Sequence, residues 1–70
     1  MMPLSLCAIG ENQVIQKVGG NQELRQHLSD LGFVVGENVR VINSFNGNII
    51  VNVKESRIAI SEEMARKIMV

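Results

Sequence analysis

A chain of 70 residues with seven Lys plus Arg against seven Asp plus Glu, 46% apolar residues and one proline has material for a single small core. The even charge, its two signs scattered along the chain, and the absence of Trp and Tyr argue against a nucleic-acid surface or a polybasic membrane patch. One cysteine excludes an internal disulfide and a cysteine-cluster metal site, no apolar run approaches the roughly 18 to 20 residues of a spanning helix, and the N-terminus lacks a signal-peptide pattern, so cytoplasmic residence is expected.

In chain order, Leu4-Ser5-Leu6-Cys7-Ala8-Ile9 fits either one helical turn or a covering strand. Asn12 to Val18 follows Gly10 and precedes Gly19-Gly20, and its β-branched residues between turn punctuation predict a strand. Asn21 suits a helix N-cap and Glu23 the positive first turn, while Leu24, Leu28 and Leu31 fall on one face, which predicts an amphipathic helix over about 21–31. Gly32 follows the last apolar helix position, where a left-handed cap needs a residue without Cβ, and Gly36 offers a tight turn before the next strand.

The strand that begins at Asn38 places Val39, Val41, Asn43 and Phe45 on one face, and the returning strand places Ile49, Val51 and Val53 on one face. To bring these sets together, a three-residue loop at Asn46-Gly47-Asn48 is expected, with Phe45 opposite Ile49 and Val41 opposite Val53. A primed two-residue turn at Glu55-Ser56 then sets Val53 opposite Ile58 and Val51 opposite Ile60. Ser61 caps a short helical turn over about 61–67, Glu62 and Glu63 complement its dipole, and Ile68-Met69-Val70 form a β-like end. About five short strands and one helix suggest a mostly β chain, a small bent antiparallel barrel whose open edge the helix covers.

Against this outline, Leu28-Ser29-Asp30-Leu31-Gly32-Phe33-Val34-Val35-Gly36 resembles the "L..LG...G" signature of FeoA-type domains. Arg57-Ile58-Ala59-Ile60 and Ala65-Arg66-Lys67-Ile68-Met69-Val70 resemble that family's later strand and its end; Pro3-Leu4 and Gly19-Gly20 also fit, so the likeness spans nearly the whole chain. Two positions depart from the pattern, with Val35 where such domains commonly carry proline and Ser56 where they carry glycine. The resemblance implies one SH3-like domain over 1–70 and a cytosolic accessory role in ferrous iron uptake, beside a FeoB-type membrane transporter with a GTP-binding domain. A module of this type appended to a metal-dependent transcriptional regulator is the alternative. That reading needs a helix-turn-helix and a ligand cluster absent from the chain.

No residue set here resembles catalytic machinery, and Gly32 and Gly36 are structural glycines, because a phosphate loop precedes a helix and carries Gly-Lys-Ser/Thr. His27 lies beside the leucine stripe, with Glu23 and Asp30 as its nearest acidic neighbours along a helix; one His and one Cys do not make a firm metal site, so no cofactor and at most weak ferrous contacts are expected. Cys7 reads as a small thiol in an apolar run. Affinity for a protein partner must then come from an apolar patch, for which Phe33, Val34, Val35 and the hairpin residue Phe45 are the candidates, flanking one groove that takes a segment of the transporter or of a second copy.

Overall fold

In a computed structural model that describes all 70 residues, each predicted element is present, with its strand register set differently from expectation. The N-terminal run makes a 3₁₀ turn at Leu4–Leu6. Next come β1 (Asn12–Val14), β2 (Lys17–Val18), helix α1 (Gln22–Asp30), β3 (Asn38–Phe45), β4 (Asn48–Val53), β5 (Ser56–Ser61), the short helix α2 (Glu62–Ala65) and β6 (Ile68–Met69). A four-stranded antiparallel sheet runs β1-β3-β4-β5, and β2 pairs with β6 in a second sheet. There are thus six strands, because the predicted strand over 12–18 changes partner midway. The N–H of Ile15 donates to Glu37 O at 2.9 Å and that of the next residue, Gln16, to Met69 O at 2.7 Å. One segment therefore enters both sheets, as a bent barrel demands.

Helix α1 starts and stops where its caps dictate. Asn21 Oδ1 accepts from the N–H of Leu24 at 2.8 Å. At the other end Phe33 N–H donates to Leu28 O and Gly32 N–H to Ser29 O, each at 2.9 Å, with Gly32 at φ +107°, the paired bonds of a Schellman cap. Leu28 is fully buried, and Leu24 and Leu31 pack on the core from its margin. Ser61 Oγ repeats the N-cap on α2, accepting from Met64 N–H at 3.1 Å.

The hairpin between β3 and β4 corrects the expected loop. Phe45 pairs with Asn48 across a two-residue turn, Asn46-Gly47, whose φ values of +50° and +76° make it a primed turn. Val39 meets Val53 and Val41 meets Val51, and the register slips by one residue between Val41 and Asn43. An extra residue at Ile42, a β-bulge, achieves the change of face that had been assigned to the loop. Val39 and Val41 consequently face the core, whereas Asn43 and Phe45 turn outward.

The β4-β5 turn is also displaced. It lies at Lys54-Glu55, with φ +49° and +64°, so that Val53 meets Ser56, Val51 meets Ile58 and Ile49 meets Ile60. The expected register differs by two residues, and a two-residue shift leaves every side chain on the same face, so apolar alternation does not distinguish the two. The stability consequence moves with the turn. Glu55→Gly is expected to raise the urea midpoint, since a left-handed residue with a Cβ costs about 1 kcal/mol, while Ser56→Gly, now inside a strand, should lower it.

Twelve buried apolar residues form one core, with Leu4, Ile15, Leu28, Phe33, Val51 and Ile68 among the most enclosed, and no polar side chain is buried. The ends of the sequence meet beside it, Met2 and Val70 exchanging two backbone hydrogen bonds of 2.9 Å each.

Candidate functional surface

The four residues proposed as a partner surface separate in space. Phe33 is 1% exposed and belongs to the core. The Schellman cap is the cause: its second residue past the helix end turns back under the last turn, so the aromatic ring that follows Gly32 points inward. Val34 is half-buried and Val35 is 66% exposed in the turn whose Gly36 N–H donates to Ile15 O at 2.8 Å. Phe45 is 65% exposed, thrown outward by the bulge at Ile42. Val35 precedes β3 and Phe45 ends it, so they stand roughly 20 Å apart along an eight-residue strand at about 3.3 Å per residue. They do not flank one groove.

Other exposed large apolar side chains are Met1, Met2, Leu6, Ile9 and Val14. Val14 was legible in principle, because the strand expected over 12–18 puts it next to Ile15, and neighbouring strand residues face opposite ways. An open groove of about 360 Å³ lies on the outer side of the larger sheet, where Asn12, Asn38, Arg40 and Asn52 converge, with Lys54 and two glutamates, Glu37 and Glu55, completing its wall.

His27 is exposed on α1, and Asp30 Oδ1 instead accepts from Gln26 Nε2 at 3.0 Å. No three His, Cys, Asp or Glu side chains converge as a metal site would require. Cys7 is half-buried, its Sγ 3.8 Å from Pro3 O; burial and, secondarily, the Glu11 carboxylate push its thiol above the ordinary value. Iodoacetamide is therefore expected to alkylate Cys7 more slowly in the folded protein than after unfolding in urea, both near about pH 8.

The profile of the FeoA domain matches residues 2–70. The chain belongs to the FeoA domain family. Over all 70 of its residues it is 36% identical to a Methanocaldococcus jannaschii protein that carries the name Fe(2+) transport protein A, covering 85% of that relative. Among solved structures it superposes with a TM-score of 0.85 on Stenotrophomonas maltophilia FeoA, a zinc-complexed prokaryotic SH3 domain protein; identity is 27%, and 99% of this chain and 88% of that one are covered. The SH3-like barrel is thus the fold of this FeoA-family chain. A manganese-dependent transcriptional repressor shares that fold at a TM-score of 0.83, with 17% identity, over 94% of this chain and 38% of its own. No helix of the FeoA-family domain is long and apolar enough to cross a membrane.

Proposed function

We propose that this domain is a non-catalytic cytoplasmic accessory of ferrous iron uptake that docks on the cytosolic, GTP-binding region of a FeoB-type transporter. What supports the reading is family membership across residues 2–70, joined to a relative named for Fe(2+) transport that aligns with all 70 residues of this chain. Ferrous iron is then the transporter's cargo, and the domain's part is a protein contact made by exposed apolar residues such as Phe45 and Val35. The fold shared with a manganese-dependent repressor leaves a regulator module as the second reading.

Isothermal titration of the purified domain against the transporter's cytosolic region, with and without ferrous iron and guanine nucleotide, tests the first reading. Binding in at least one of those states is expected. Absence of heat in all of them would sink it, and binding to a metal-dependent repressor chain instead would install the second. Phe45→Ala is expected to weaken the transporter contact while leaving the unfolding midpoint nearly unchanged, because its ring is mostly in solvent.

A further inference from the structure

The outer face of the four-stranded sheet carries a charge pattern hidden by the linear sequence. Strand registers place Asn12, Arg40, Asn52 and Arg57 in one row across β1, β3, β4 and β5. A second row, Asn43, Ile50 and Ala59, lies beside it, and Phe45 closes the face at the hairpin end. Strands about 4.8 Å apart set the Arg40 and Arg57 backbones about 10 Å from each other, with Asn52 between. All seven Asp and Glu lie outside the six strands, so neither row itself carries a carboxylate; Glu37 and Glu55 stand with Lys54 at the rim of the groove beyond the strand ends.

Neither arginine has an acidic partner, the domain's one ion pair being Arg66 with Glu62 at 3.1 Å. Arg40, Arg57, Ala59 and Phe45 are exposed, Ile50 is half-buried, and the open groove lies at the Arg40 end of the face. We propose that this face docks an extended, acidic segment of a partner protein, its carboxylates meeting Arg40 and Arg57 and its apolar side chains lying on Ile50, Ala59 and Phe45. The proposal deepens the accessory reading and rests on it for the partner's identity, though not for the chemistry of the surface.

The chemistry of this face favours a polypeptide over the other occupants. Carboxamides offer both donors and acceptors and so match peptide groups, which also carry both, whereas phosphates only accept. One exposed aromatic does not make a stacking platform for nucleic acid, and two arginines in a chain of even charge do not make an electrostatic funnel. A second copy offering the same face would set guanidinium against guanidinium.

The test uses the full chain, ¹⁵N-labelled, and a capped octapeptide Ser-Glu-Ser-Glu-Ser-Leu-Ser-Leu, whose alternate residues share one face when extended. Amide shifts confined to Arg40, Asn43, Phe45, Ile50, Asn52, Arg57 and Ala59 are expected. The charge-reversed variant Arg40→Glu with Arg57→Glu should bind this peptide about tenfold or more weakly and gain affinity for its lysine counterpart, since opposed like charges penalise the wrong partner. Shifts mapping elsewhere, no binding of the glutamate peptide, or displacement of it from these residues by oligothymidylate would each overturn the proposal. Against the transporter's cytosolic region, equal binding by wild type and charge-reversed variant rejects this surface and leaves the accessory role standing. Peptide binding without transporter binding does the reverse.

Discussion

Phe33→Ala is expected to be among the most damaging single substitutions in this domain, costing about 3 to 5 kcal/mol, the range for truncating a buried aromatic. The ring is 1% exposed and is one of only two phenylalanines, with no tryptophan or tyrosine to share its load in the core. Small domains hold a net stability near the low end of about 5 to 15 kcal/mol, so the variant should be largely unfolded in dilute buffer. Urea denaturation followed by far-ultraviolet circular dichroism checks this, with Leu28→Ala as the companion core truncation, expected at about 2 to 5 kcal/mol. Phe45→Ala is the control, and a Phe33→Ala midpoint as little changed as that of Phe45→Ala would contradict the packing described.

Gly32→Val should follow it in severity. Gly32 adopts φ +107°, which side chains with a branched Cβ scarcely reach, and its N–H supplies one bond of the Schellman cap while its turn aims the Phe33 N–H for the other. The strain alone is of order 1 to 3 kcal/mol. A Cβ at this buried position would also come to 3.5 Å from Lys54 Cδ and 3.7 Å from Val53 Cγ1, so the further methyl groups of valine press on the β4-β5 turn. Gly36→Ala makes the comparison: its φ is +90°, but a Cβ there meets nothing within 4 Å, so only the backbone term remains. The urea midpoint should fall further for Gly32→Val than for Gly36→Ala, and equal midpoints would mean that crowding at the cap costs nothing.

What could be read from the residues was whatever short-range rules govern. Both helices, their caps at Asn21 and Ser61 and the stop at Gly32 follow from side-chain chemistry within four residues, and all are present. Register was less legible, because two physical solutions satisfied the same alternation. A bulge at Ile42 and a longer loop at Asn46 both reconcile the valine rows, and a turn at Lys54 or at Glu55 gives the same faces. The Asn-Gly pair was in fact the correct local signal for the first hairpin.

The candidate surface suffered more than the fold. Phe33 looked exposed because it follows a helix end, and only the direction taken by the chain past Gly32 turns it inward. The arginine row was invisible for a related reason: Arg40, Asn52 and Arg57 become neighbours only once register is known, and apolar alternation does not single out that register at either hairpin.

The hydrogen-bonded meeting of Met2 with Val70 means that the order of the strands in sequence and their arrangement in space are separable. Linking residue 70 to residue 2 through a short flexible bridge and opening the chain instead at the exposed Asn46-Gly47 turn would leave every sheet partner in place while moving both new ends to the hairpin tip. The same proximity makes the domain suitable as an insert: a host protein could carry it in a surface loop whose two arms need stand no farther apart than neighbouring strands.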